Sequence, residues 1–301
     1  MSELVWGPLM AIYLFLGGLA GGAYIISALV DLFKGEDYEV LSKSGALVSL
    51  VSVIASVVVL LLEIKRFEVA PLSFLNAYRM FPGSMISVGT WILTGLLVIS
   101  AVTVILAFFG GNWLIRKIVD VVGLILGLGT TAYTGLLLSY CRGVPLWGSP
   151  FLPVTFMVSG TLTGLAMALL VIPIAAYIMP KALNSFWELY ERKAQFTDML
   201  SQTQKYILVL IVVEMALVII ELGTGYEHSG VLLTGSLSLV FYTYIVLGLL
   251  IPLGISYYVG KLKAAGSTGS VVLFSMGGSA LILVGGFLLR YAILTAGQIF
   301  H

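Results

Sequence analysis

The chain has 301 residues, 60% of them hydrophobic and 10% charged, with a mean hydropathy of +1.10 and a formal net charge of +1. Such a chain is solvated mostly by lipid, which makes it a polytopic membrane protein. Its near-neutral charge and lack of long basic runs argue against a nucleic-acid partner, since phosphate binding needs clustered Lys and Arg. The single cysteine, Cys141, can form no internal disulfide and cannot supply the ligands of an iron–sulfur cluster or a cysteine-rich zinc site.

In chain order, the opening MSELVWGPLMAIYLF lacks the basic stretch of a secretory signal, so the first helix is expected to be retained. The run YLFLGGLAGGAY, Tyr13 to Tyr24, then places Gly17, Gly18, Gly21 and Gly22 inside a span. Glycine costs about 1 kcal/mol against alanine in a helix interior, so four of them imply that something approaches the backbone closely. That partner is either a neighbouring helix or a flat ligand.

Apolar stretches long enough to cross the hydrocarbon core fall at about 6–32, 45–63, 85–109, 115–140, 151–179, 205–223, 231–258 and 269–296. The predicted fold is therefore all-α: one polytopic domain over 1–301 with eight spans arranged as two four-helix bundles. Two connections are long. Residues 64–84 carry Lys65, Arg66, Glu68, Pro71, Arg79 and Pro82, whereas 180–205 mixes aromatic and charged residues as an interfacial helix would. With the N-terminus outside, ten basic residues lie on the cytoplasmic side and four on the other. By the positive-inside rule both termini are then extracytoplasmic, 64–84 is an outer docking segment and 180–205 lies at the cytoplasmic surface.

Histidine usage narrows the chemistry. His228 falls in a short outer loop and His301 ends the chain, so no span offers an imidazole. Intramembrane haem ligation and zinc or copper catalysis are accordingly not expected. The ionisable residues at membrane depth are Glu63, Asp120, Glu214, Glu221 and Arg290. Glu214 and Glu221 are seven apart and share a helix face. They read either as a proton relay, from Asp120 or Glu214 inside to Glu221 and Glu63 outside, or as a structural Glu221–Arg290 ion pair. Tyr13 in the first span and Tyr133 in the fourth lie at similar depth near the outer surface. Each is either a bilayer anchor or a phenol able to hydrogen-bond a quinone carbonyl.

Several segments carry a likeness: YLFLGGLAGGAY, LEIKRF after the second span, PGSMISVGTW at the third, YTGLLL in the fourth and PLWGSPFLPVTFMVSG beyond it. In order and spacing they resemble the NrfD/PsrC family, the membrane subunits of polysulfide reductase and related molybdopterin- or cytochrome-containing respiratory complexes. The likeness covers most of the first half, and the second half matches mainly as helices. It implies an eight-helix, haem-free subunit of a prokaryotic cytoplasmic membrane that binds menaquinone or a related quinone near the extracytoplasmic face. It further implies a ferredoxin-like iron–sulfur subunit docked there, with a molybdopterin catalytic subunit beyond. Residue by residue, Tyr133 matches a quinone-contacting tyrosine. Tyr13 and Met10 stand where polysulfide reductase has a histidine and an asparagine. Glu63 and Arg66 fall near an Asp-Gly-Arg-Pro sequence, and Arg290 matches an embedded arginine of the proposed proton route. On this reading Gly17 and Gly18 wall the quinone site. Ser84, with Ser87 and Arg79 nearby, is either a helix cap or a further contact. An ion-coupled secondary transporter using the same acids remains the alternative, although Pro173 and Pro252 interrupt spans in unlike contexts.

Overall fold

The structure, a computed structural model, describes residues 6–34, 38–63, 75–141, 144–178, 184–224 and 230–299, with only the backbone of Glu63, Pro145 and Asn184. Among the described residues the regular elements are all helical, and eight helices are long and apolar enough to cross a membrane. In chain order they are α1 (Pro8–Phe33), α2 (Glu39–Glu63), the short α3 (Asn76–Arg79), α4 (Met85–Phe109), α5 (Trp113–Ser139), α6 (Leu152–Ile178), α7 (Asn184–Glu191) and α8 (Lys193–Thr224). The short α9 (Gly230–Leu233) precedes the seventh span, Ser238–Ala264. That span is built from α10 (Ser238–Thr243), π-helical turns over Tyr244–Leu250 and α11 (Ile251–Ala264); α12 (Thr268–Ile299) completes the set.

Local chemistry sets several ends. Pro8 opens α1, where its missing N–H costs nothing. Asn112 caps α5 by accepting from the Leu114 N–H at 2.8 Å. Gly110, with φ of 82°, ends α4 in a backbone conformation that side-chain-bearing residues avoid.

Three spans depart from their predicted boundaries, the seventh running over Ser238–Ala264 rather than 231–258. The second helix starts at Glu39, six residues before the predicted span, because Glu39 and Lys43 pair at 3.0 Å one turn apart. The sixth span starts at Lys193, so the second half of the predicted interfacial segment is instead the polar beginning of α8, with Phe196, Met199 and Leu200 buried. Only α7 stands apart, its Phe186 and Leu189 buried against the bundle. Charged residues mark where hydrocarbon ends, which is not where helical hydrogen bonding ends.

The helices α1, α2, α4 and α5 pack together as a first group and α8, α10–α11 and α12 as a second, with α6 between them and packed against both. Within lipid no hydrophobic force draws helices together, so small residues and interhelical hydrogen bonds do the work. Serines of α2 stitch the first group, with Ser49 to Ser100 at 2.9 Å and Ser42 to the Ser27 carbonyl at 3.1 Å; Ser44 reaches the Ala168 carbonyl of α6 at 2.6 Å. The first helix lies at the centre and meets α6 backbone to backbone. There Gly22 abuts Gly160, and Gly164 abuts Gly22 and Ala23. On its neighbouring face Gly21 abuts the Gly127 carbonyl of α5.

The first and last described segments, at Trp6 and Gln298, meet at one end of the bundle. Gln298 accepts from the Trp6 N–H at 2.9 Å and donates to the Trp6 carbonyl at 3.1 Å, while the Trp6 ring stacks on Trp147 with centroids 5.4 Å apart. We call this the terminal end and the other the far end.

Candidate functional site

A cavity of about 430 Å³ opens within the first group of helices near the terminal end. Its walls are apolar, from Met10 of α1, Leu60 and Leu61 of α2, and Leu93 and Leu97 of α4. Its polar groups converge from three directions: Tyr13 on α1, Tyr133 on α5 and Tyr78 on α3, with Thr90 and Thr94 on α4. Such a volume, mostly apolar with a few placed hydroxyls, is the usual form of a small-molecule site.

Tyr13 and Tyr133 are each 3% exposed, and their phenols are close enough to act on each other electrostatically. Tyr133 reaches its position because Gly89 of α4 has no side chain: a Cβ there would overlap the phenol ring. A Gly89→Ala exchange should therefore displace the Tyr133 ring and reproduce the functional loss of removing its hydroxyl. The check is turnover of the purified complex alongside its melting temperature, and wild-type turnover would refute the placement. Tyr78 forms the lid. Its hydroxyl shares a 2.8 Å hydrogen bond with Thr94, its ring meets Trp91 edge-on at 5.2 Å, and its carbonyl accepts from Trp91 Nε1 at 3.3 Å.

The other predicted residues are distributed as follows. Glu63 ends α2 two residues beyond Leu61, with its side chain outside the described residues; Arg66 lies outside them entirely. Ser84 takes the N-cap position of α4 with extended backbone, but its hydroxyl makes no capping bond and does not line the cavity. Neither glycine reaches the cavity wall. A Cβ on Gly17 would sit 3.5 Å from Ser56 and Thr134, and one on Gly18 would sit 2.5 Å from Arg290 Nη2. Gly18 thus makes room for an arginine rather than a flat ring.

Arg290 is wholly buried among α1, α6 and α12. Its Nε donates to the Leu14 carbonyl at 3.2 Å, next in sequence to Tyr13, and its Nη1 donates to Ser159 Oγ at 3.2 Å and the Gly286 carbonyl at 2.8 Å. Phe156 and Phe15 flank the guanidinium at 5.3 and 5.8 Å. Ser159 stands between Arg290 and Glu214, whose Oε1 accepts from the Tyr244 hydroxyl at 2.9 Å. Glu221, two turns along α8, accepts from Thr155 at 3.1 Å. The Glu221–Arg290 ion pair is absent from the salt bridges among the described residues; Arg290 instead faces Glu214 through Ser159. The two acids therefore meet partners from successive turns of one face of α6.

Asp120 belongs to a separate cluster at the far end. It is 3% exposed and lies beside Asp31, which pairs with Arg116 at 2.7 Å, around a small polar cavity that also takes in Ser42 and Thr103. The buried Tyr24 hydroxyl closes the cluster through Thr103 at 2.6 Å. No hydrogen bond among the described residues links Asp120 to Glu214, so the two alternative inner acids of the predicted relay lie in separate groups. Sequence reading missed Tyr78, Ser159, Tyr244 and Asp31. Their neighbours come from other helices, and only Asp31 carried a signal, an acid two residues before the end of a span.

Among the described residues no three metal-ligating side chains cluster. A family model described as "Polysulphide reductase, NrfD" matches residues 1–301. The Protein NrfD homolog of Haemophilus influenzae is 26% identical, the alignment covering 99% of this chain and 95% of that protein, and Protein NrfD of Escherichia coli is 25% identical with coverage of 99% and 96%. The C subunit of the Wolinella succinogenes polysulfide reductase is 27% identical over 190 residues, which spans 56% of this chain and 59% of that protein. With eight candidate spans and a family match running through all of them, the chain belongs to the NrfD family of multi-pass membrane proteins.

Proposed function

We propose that this chain is the quinone-reactive membrane subunit of a multi-subunit respiratory oxidoreductase, and that the Tyr13–Tyr133 cavity takes the headgroup of a menaquinone-type quinone. The observation that carries the reading is the cavity itself, an apolar pocket at the terminal end in which phenols from α1, α3 and α5 converge. The residues fit the group: a flat aromatic headgroup needs apolar walls and hydroxyls at its rim, and an isoprenoid tail needs the lipid-facing side that α2 and α4 provide. The similarity to a protein named as a subunit of polysulfide reductase supports a place in such a complex.

A bound quinol supplies two electrons and two protons, or a quinone takes them up. The chain's own part is orientation and proton handling. Tyr133 and Tyr13 donate to or accept from the headgroup oxygens, and a positioned phenol can pass a proton as general acid–base. The apolar walls exclude water so that protons leave only by these hydroxyls. Glu63 at the end of α2 is proposed to exchange protons with the terminal-end surface, and Arg66, a fixed positive charge beyond it, to contact the headgroup. The segment 64–84, whose described part includes the Tyr78 lid, is proposed to receive a ferredoxin-like iron–sulfur subunit on an extracytoplasmic face, with a molybdopterin catalytic subunit beyond. Both termini would then be extracytoplasmic, in a prokaryotic cytoplasmic membrane. Arg290 links the back of α1 to Glu214 through Ser159, with Glu221 toward the terminal end and Asp120 at the far end. We assign these groups to a proton route coupled to quinol turnover.

The test is direct. Leu93, 3% exposed on the cavity wall, can be replaced by tryptophan to fill the space without touching a hydroxyl. In the purified complex, Leu93→Trp is expected to weaken binding of a menaquinol analogue at least tenfold. Unchanged affinity in a folded complex would place the quinone elsewhere.

A further inference from the structure

The buried residues of α8 recur on one face: Gln204, Ile207, Ile211, Glu214 and Val218. A matching face of α12 carries Ser275, Ser279, Ile282, Gly286 and Arg290. Between them runs the seventh span, held antiparallel to α12 by contact of Gly248 with Gly285 and of Gly278 with Ile255. This register sorts the polar groups into two levels. Near the membrane centre Glu214 meets Tyr244, with Arg290 and Ser159 beside them. Toward the far end Gln204 accepts from Ser256 at 2.7 Å, and Ser275 and Ser279 lie on the turns of α12 that bracket Ser256.

The far-end level is short of partners. Gln204 Nε2, Ser275 Oγ and Ser279 Oγ are buried without a hydrogen-bond partner among the described residues, and the same holds at the central level for Glu214 Oε2 and Arg290 Nη2. Threonines of the bundle such as Thr163 and Thr203 satisfy themselves by donating to the carbonyl four residues back, whereas these serines do not. An unsatisfied buried polar group costs about 1–3 kcal/mol, and water bound by two to four such groups removes that cost. Along the three spans, Ile207, Ile211, Leu249 and Ile282 fall between the levels, each at most 2% exposed. Gln204 and Glu214 are ten residues apart, so at 1.5 Å per residue the two levels stand about 15 Å apart, with the apolar layer between them. It coincides with the π-helical turns at Tyr244–Leu250, a form that occurs mostly as local bulges, often at functional sites.

We propose that Gln204, Ser256, Ser275 and Ser279 line a water-filled vestibule from the far end, and that Ile207, Ile211, Leu249 and Ile282 form a hydrophobic gate between it and Glu214. The ligand of the vestibule is water and the hydrated proton. While dry, the layer offers a proton no hydrogen-bonded path, and hydration of the layer connects Glu214 to the far side. The inference rests on the proton-handling role proposed above for Glu214.

Two measurements on the full chain in liposomes test it, neither containing quinol. In a Cys141→Ser background, single-cysteine variants are exposed to a water-soluble thiol reagent from the far side. Ser279→Cys is expected to react at least tenfold faster than Ile282→Cys, and equal rates would overturn the vestibule. With a potassium gradient and valinomycin driving proton entry, Ile211→Ser is expected to raise the leak at least tenfold over the unmodified chain. A wild-type leak in folded Ile211→Ser protein would overturn the gate. A raised leak that persists in the Ile211→Ser, Glu214→Gln double variant would keep the gate but remove Glu214 as the receiving group.

Discussion

Tyr133→Phe is expected to lower quinol turnover about a hundredfold while the complex assembles and melts as before, since positioned acid–base groups contribute roughly 10²–10⁴-fold. The ring of Tyr133 fills the space left by Gly89, and phenylalanine keeps that packing. What is lost is one hydroxyl at the rim of the cavity, opposite Tyr13 and Tyr78. Tyr13→Phe should cost less, because Tyr133 still reaches the site, and the two exchanges together should cost less than the product of the single losses if the phenols act as a pair. Steady-state turnover with a menaquinol analogue, read beside analogue affinity, separates the outcomes. A loss in affinity alone would make Tyr133 a wall, and unchanged turnover would remove it from the chemistry.

The second large effect falls on folding. Gly22→Leu is expected to abolish the folded protein, and even Gly22→Ala should destabilise it by about 1–3 kcal/mol, the range for forcing atoms into a packed interior. A Cβ at Gly22 would overlap the Gly160 backbone, which has nowhere to move because Gly164 is equally tight against Gly22 and Ala23. Gly17→Ala meets only ordinary contacts at 3.5 Å, so it should be neutral or stabilise by up to about 1 kcal/mol through helix propensity. Thermal melts and monodisperse yield in detergent would compare the two. Equal behaviour would mean that the four glycines are not divided between faces as the structure divides them.

Those four glycines show what could be read in advance. Close approach to the backbone was legible from composition alone, but the approaching object was not. For Gly22 and Gly21 it is another helix backbone, and for Gly18 it is the Arg290 side chain from the last helix of the chain. The number of spans follows from hydropathy, and the shared depth of Tyr13 and Tyr133 from counting residues along them. Their convergence on one cavity with Tyr78 needed the azimuth of three helices, which no local pattern encodes. The start of α8 went unread for a different reason: its first turns are polar yet helical, since they bury Phe196, Met199 and Leu200 on one side. Tyr244, which donates to Glu214, lies on a π-helical segment whose wider turns shift the facing residues away from α-helical spacing, and Ser159, which accepts from Arg290, lies on α6.

The seam between α1 and α6 also limits how the molecule can move. Rocking-bundle transport requires two halves that part and close around a central site. Here the Gly160 carbonyl rests against Gly22 and the Gly18 carbonyl against Gly160, Ser44 of the first group is bonded to the α6 backbone, and Arg290 of the second group is bonded to the α1 backbone. Sliding one half past the other would break these bonds in a medium that offers no replacements. The two groups are in effect one rigid block, a construction ill suited to a carrier that swings.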